Sequence, residues 1–393
     1  MAGLIVQEWI EETGGAEQVL DAMRLAFPDS RVACLWNDDP GRFPSNAVDE
    51  SWLARTPLRG RKALALPLMS PTWRRGWGDA EPDWVLTSSY VFAHHAGFGT
   101  RSGVPKFSYV HTPARYLWEP GLDGRTASPL AGVARSYLRG VDRRASRDSG
   151  SIAANSSFVR ERIRRAWDRD ARVIHPPVDA AAIAAVPDWA SRTTAAEQER
   201  LESLPERGFL MAASRLVPYK RHDAVIRMGE RLGIPVVIAG AGPERERLSA
   251  LAASASVPVR LLGRVSDELM RALFQRALAF VFPPVEDFGI MPVEAMAAGC
   301  PVIANRVGGA AESVVDGIAG VHFDPDDPAG FERAVGAVAG IDPAAARGRA
   351  LAFDTERFLD EVREWVVGRT ATGALPGQTE TDSRPNNVAS AAG

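Results

Sequence analysis

The sequence predicts an α/β protein made of two doubly wound parallel-sheet domains. Three observations carry that expectation. The chain has 393 residues, more than one ordinary core organises. Apolar runs of strand length alternate with helical patterns in both halves, as parallel sheets with crossover helices require. The alternation is interrupted once, over an alanine-rich and then polar stretch, and starts again at residue 209. These features divide the chain into a first domain at 1–185, a linker at 186–206 and a second domain at 207–350. A helix at 351–368 follows, and the Gly/Thr/Ser/Pro/Asn-rich remainder, 369–393, is expected to be disordered.

The elements follow in order. Residues 4–6 are a first strand, after which Gly14 and Gly15 form a bend before a helix marked by Val19, Leu20, Met23 and Phe27. Such a bend lets backbone approach a ligand and aims a helix N-terminus at it, although a plain tight turn has the same sequence. Further strands are expected at 31–35, 84–87, 107–110, 151–154 and 173–179. Asn155, Ser156 and Ser157 supply a cap for a helix at 158–167. In the second half, strands at 209–213, 235–239, 260–262, 277–282 and 302–304 alternate with helices from 222, at 244–253 and at 266–275. After the 277–282 strand comes a loop bent at Gly289, then a helix of about two turns with Pro292 at its first position and Gly299 just past its end. The start of that helix presents unpaired N–H groups near Gly289, Ile290 and Met291 and a positive dipole end, which together attract an anion.

Composition narrows the class. A net charge of -3 gives no general case for nucleic-acid binding. Two cysteines, Cys34 and Cys300, both among apolar neighbours, argue against a disulfide framework and for a reducing, cytoplasmic setting. Neither a zinc-type Cys/His spacing nor an apolar run of membrane-spanning length occurs, and the N-terminus lacks the pattern of a signal peptide.

Chemistry-bearing residues collect at the predicted strand ends. Arg215 and Lys220 follow the 209–213 strand, where open α/β sheets bind ligands; a solvated basic loop is the plain alternative. Glu286 and Glu294 flank the loop at Gly289, and the plain reading of Glu294 is an acid that complements a helix dipole. Gly240 and Gly242 form Gly-x-Gly, but no third glycine follows at the dinucleotide-fingerprint spacing, so nicotinamide binding is disfavoured. The Asp324-Pro325-Asp326-Asp327 run is expected to be a turn and cap rather than a metal site. His94 and His95 are assigned structural roles. The segment 58–77 mixes Arg59, Arg61, Lys62, Arg74 and Arg75 with Leu64, Leu66, Leu68, Trp73 and Trp77. Docking on an anionic bilayer is its functional reading, while ordinary helix packing with solvated arginines is the plainer one.

The stretch 283–302 resembles the signature of retaining GT-B glycosyltransferases of group 1: Glu286 and Glu294 are separated by seven residues, with Phe288, Gly289 and Pro292 in their places. Arg215 and Lys220 match the family's Arg-x4-Lys pair, and Gly14-Gly15 its glycine loop. The string from His111 to Trp118 resembles an element of group-1 mannosyltransferases that use nucleotide-mannose. The resemblance implies a GT-B fold whose last helix packs back on the first domain. It also implies a metal-independent, cofactor-free transfer of a hexose from a nucleoside diphosphate, GDP-mannose first and a UDP-hexose second, to a glycan or lipid-linked acceptor. In its terms Glu294 accepts from the ribose diol, Glu286 orients the sugar and His111 faces it. Arg215, Lys220 and the amides of Gly289, Ile290 and Met291 hold the diphosphate, with Gly14, Gly15, Gly263 and Phe288 completing the donor site. Two other classes stay open: a glycoside hydrolase that uses Glu286 and Glu294 as its carboxylate pair, about 5–9 Å apart, and a non-catalytic sugar-nucleotide binder.

Overall fold

The structure, a computed structural model, describes residues 2–75, 82–97, 103–119, 129–205 and 208–372. Two separate, wholly parallel sheets form its frame. The first contains β1 (Gly3–Gln7), β2 (Arg31–Cys34), β3 (Val48–Glu50), β4 (Trp84–Ser89), β5 (Lys106–Val110), β6 (Ser151–Ala154) and β7 (Arg172–Val173), in the order β3-β2-β1-β4-β5-β6-β7. The second contains β8 (Leu210–Ala213), β9 (Val236–Ala239), β10 (Val259–Gly263), β11 (Ala279–Phe282), β12 (Val302–Asn305) and β13 (Gly320–Phe323), ordered β10-β9-β8-β11-β12-β13. Strand order reverses beside β1 in one sheet and β8 in the other, and a crevice opens at such switch points. The central strands β1, β4, β8 and β11 are buried along their whole length, because helices cover both faces of each sheet.

The short strands β3 and β13 were not expected from the sequence. With only three or four residues each at a sheet edge, their apolar signal is too brief to stand out. The expected linker at 186–206 is a correction as well. It holds a helix, Ala195–Glu202, started by a capping box in which Thr194 and Glu197 satisfy each other's backbone. Trp189, Leu201 and Leu204 from this stretch are buried in the second domain's core, so the polar composition concealed an element of that domain. The last helix is Thr355–Thr372, shifted four residues toward the C-terminus from the expected 351–368, and Gly368 does not end it. It packs against the helix Gly15–Ala26 and buries Phe358, Val362 and Trp365 in the first domain, with Trp365 Nε1 donating to Ser151 Oγ at 2.8 Å. The chain crosses between domains a second time here. The two crossings are stitched by Val178 N to Phe353 O (3.1 Å) and Thr355 N to Val178 O (3.0 Å). Of the tail expected at 369–393, residues 373–393 lie outside the described residues, as does Trp77.

His94 and His95 form a buried knot with Asp142. Their Nε2 atoms lie 3.1 and 3.0 Å from one carboxylate oxygen of Asp142, and the indoles of Trp118 and Trp167 donate to the other at 2.7 and 2.6 Å. Asp326 pairs with Arg221 at 2.6 Å, while Asp327 caps a turn by accepting from Ala329 N at 3.1 Å. Cys34 and Cys300 are both buried and unpaired, and burial pushes the Cys300 thiol up to about 12.

Candidate active site

A cleft of about 620 Å³ lies between the carboxyl ends of the two sheets, with walls from both domains. Arg215, Lys220, Glu286, Phe288, Gly289, Ile290 and Met291 line it from the second domain, and Gly15 and His111 from the first. Most of the residues singled out from the sequence therefore converge. Gly14, Gly263 and Glu294 do not line this cleft. Gly14 is the cap residue before the helix Gly15–Ala26, Gly263 ends β10, and Glu294 lies in the helix Ile290–Ala297 with Asp267 and Arg271 as charged neighbours. A hydrolase working through Glu286 and Glu294 loses its main support, since only one of the two carboxylates lines the cleft.

Local sequence explains the wall of the second domain. After β11, the chain turns at Gly289, whose φ of 90° lies in the left-handed region that favours glycine. The helix starts at Ile290, so Pro292 is the third helical residue and not the first as expected. Proline is tolerated there, because a first-turn N–H has no helical carbonyl to reach. At the other end Gly299 N bonds Met296 O and Cys300 N bonds Ala295 O, at 2.9 Å each, the paired closure that glycine past a helix end provides. The Arg215–Lys220 loop is pinned from β9's exit: Ser214 N bonds Ala239 O (3.2 Å), Leu216 N bonds Ala241 O (2.9 Å) and Glu244 N bonds Leu216 O (3.0 Å). A Cβ on Gly240 would lie 1.8 Å from Ser214 O, so the Gly-x-Gly turn allows this backbone approach.

Lys220 is buried beneath Tyr219 and Phe282, and its Nζ meets Glu286 Oε1. Burial pushes its pKa below the ordinary lysine value, Arg215 and Arg115 add to that, and Asp287 opposes it. Desolvation lowers His111 to about 4, so its imidazole is neutral near pH 7, with Nε2 at 2.9 Å from Ser88 Oγ. Burial raises Glu294 to about 7; Asp267 adds to this and Arg271 opposes it.

Sequence reasoning did not assign Lys62 or Arg115 to the cleft, nor Glu8 to the support behind it. Glu8 is fully buried, and its Oε1 accepts from the amides of Tyr90 (3.1 Å), Val91 (2.7 Å) and Ala93 (2.9 Å). It thereby fixes the loop that sets the Tyr90 ring against His111, centroids 5.8 Å apart. Lys62 pairs with Glu11 at 2.5 Å and lies over the Trp9 ring at 4.3 Å. Arg115 lines the cleft from the first domain and pairs with Asp287 of the second. Its place inside the string His111–Trp118 was the available signal; the others depend on contacts distant in sequence.

Two facing parallel-sheet domains with a cationic cleft at their switch points define a GT-B protein. Comparison with known families agrees: residues 13–182 match the model described as Glycosyltransferase Family 4, and residues 194–340 that described as Glycosyl transferases group 1. The chain is 30% identical over 317 residues to D-inositol 3-phosphate glycosyltransferase of Streptomyces scabiei, covering 74% of this chain and 68% of that one. It is 34% identical over 222 residues to a GDP-mannose-dependent alpha-(1-6)-phosphatidylinositol monomannoside mannosyltransferase of Mycolicibacterium smegmatis, covering 52% and 56%. Anabaena Alr3699/HepE, solved with UDP-glucose, superposes with a TM-score of 0.67 at 18% identity, covering 94% of this chain and 100% of that one. The chain belongs to the group-1 glycosyltransferases and is a glycosyltransferase of the GT-B fold.

Proposed function

We propose that the protein transfers a hexose from a nucleoside diphosphate with retention at the anomeric carbon and without a metal, mannose from GDP-mannose being the preferred donor. The observation that carries this reading is the convergence of Arg215, Lys220 and the first-turn amides of Ile290–Ala297 on one cleft beside Glu286. Charge develops on the diphosphate as the sugar leaves, and fixed donors in a partly closed site stabilise it with little reorganisation. Arginine grips phosphate through two N–H groups, while Lys220 acts as a point charge already stripped of water. Donor binding then exchanges the Lys220–Glu286 contact for a Lys220–phosphate one. Glu286 is thereby released to accept from sugar hydroxyls, with neutral His111 on the opposite wall. Because the protein supplies these cations itself, the chemistry leaves a metal nothing essential to do, and turnover should survive a chelator.

The mannose assignment leans on the string His111–Trp118 and on the mycobacterial relative; the UDP-hexose reading leans on the UDP-glucose complex of the Anabaena protein. A thermal-shift series with GDP, GDP-mannose, UDP and UDP-glucose separates them, since a ligand of the folded state raises apparent stability by mass action. GDP-mannose should give the largest shift, and a larger shift with UDP-glucose would transfer the assignment to the second donor. The acceptor is a glycan or a lipid-linked sugar. A bilayer contact fits the helix Lys62–Arg74, where Leu64 and Leu68 are exposed, with exposed Trp52 and Arg55, Arg59, Arg61 and Arg75 flanking them in the chain. Among the described residues no helix is long and apolar enough to cross a membrane.

A further inference from the structure

Beside Glu286, the next residue in the same loop is bound to the opposite domain. Asp287 is 9% exposed. One carboxylate oxygen accepts from Arg115, the other from Arg162 at 2.5 Å, and its backbone carbonyl accepts from Ser156 Oγ at 2.5 Å. All three partners belong to the first domain. Glu286, by contrast, is held by its own domain: its carbonyl accepts from Gly309 N at 2.8 Å and its carboxylate meets Lys220. The peptide between residues 286 and 287 is therefore one point where the two walls of the cleft are joined. A second tie lies nearby, where Glu312 accepts from Ser157 N (2.7 Å) and faces His175 Nε2 (2.7 Å). Ser156 has two roles, because the hydroxyl that donates to Asp287 also caps the helix Ser157–Trp167, from which Arg162 reaches across.

Charge alone does not explain two arginines on one aspartate. Arg162 is 5% exposed, and a buried guanidinium requires a carboxylate in fixed geometry. Arg115 and Asp287 both line the cleft, and Arg115 is close enough to Lys220 to lower its proton affinity. Asp287 thus anchors a first-domain cation of the cleft as well as the loop that ends at Gly289.

We propose that Asp287 is a positioning residue: by accepting both first-domain arginines it closes the cleft and sets Glu286 and the Gly289 amides opposite His111. This rests on the reading of the cleft as the donor site. Asp287→Asn keeps the size and one acceptor oxygen but removes the charge, and Asp287→Glu restores the charge one methylene further out. X-ray scattering in solution, calorimetric titration with GDP and steady-state kinetics form the test, with thermal melting to verify folding. For Asp287→Asn the expected results are a larger radius of gyration and GDP affinity within about threefold, because Arg215, Lys220 and the helix amides stay together on one domain. Its kcat should fall about a hundredfold, as small displacements of reacting groups produce, and Asp287→Glu should recover part of the rate. An Asn variant with unchanged scattering and unchanged kcat overturns the proposal, as does a loss of GDP affinity that matches the loss of kcat. Wild-type protein that binds neither GDP nor UDP overturns the donor-site reading instead, and scattering still reports whether Asp287 holds the domains together.

Discussion

Glu294→Gln isolates one titration. In the folded chain burial holds this carboxyl at about 7, against 4.5 for an ordinary glutamate. Between those values the folded state carries a proton that the unfolded state has released, so stability falls as pH rises from about 4.5 to about 7 and stays lower above that. One pKa unit corresponds to about 1.4 kcal/mol, which places the full penalty near 3 kcal/mol. Solvent at the half-buried side chain screens part of it, and about 1–3 kcal/mol is expected. Glutamine has the same shape and no titration, so the variant should gain that amount on the wild type at pH 8 and nothing at pH 4.5. Urea unfolding followed by tryptophan fluorescence at half-unit pH steps measures the difference, with equal slopes confirming that the unfolded states compare. Parallel stability curves for the two proteins across the range would refute the reasoning.

Three other perturbations follow from the geometry. Lys220→Ala should lower kcat by about a hundredfold or more while the fold melts near the wild-type temperature, because one preorganised donor is lost; near-normal turnover would remove Lys220 from the diphosphate grip. Gly15→Val should impair turnover more than folding. A Cβ there would already lie 3.0 Å from Ile290 Cδ1 across the cleft, and the branched side chain would wedge the domains apart; unchanged kcat would show that closure does not pass through Gly15. Asp142→Ala should cost about 3–5 kcal/mol in urea unfolding, since it leaves His95 and the indoles of Trp118 and Trp167 without their common partner; a loss under 1 kcal/mol would contradict the buried knot.

Much of this molecule was legible in one dimension, for reasons that remain local. The strands β1, β4, β8 and β11 are short apolar runs because both their faces are buried, and such runs can be recognised without a fold. Ser156 as a cap, Gly289 as a bend and Gly299 as a stop depend on backbone preferences that each residue carries by itself. Arg215, Lys220 and Glu286 could be placed because ligands of open sheets bind at strand ends, and strand ends can be counted.

What the tertiary structure alone decided is which charges meet. Asp287 adjoins Glu286 in the chain, yet its partners Arg115 and Arg162 are 172 and 125 residues away, and no periodicity encodes such pairings. Glu294 fits the same motif as Glu286 but lies outside the cleft lining, because helical geometry sets direction and burial, while spacing sets only distance along the chain. The helix within 186–206 joined the second domain because Trp189, Leu201 and Leu204 found a core to complete, a fact about neighbours that its polar composition could not express. Sequence determined the elements and the places where ligands gather; packing determined the direction of each side chain, its protonation and its partner in the other domain.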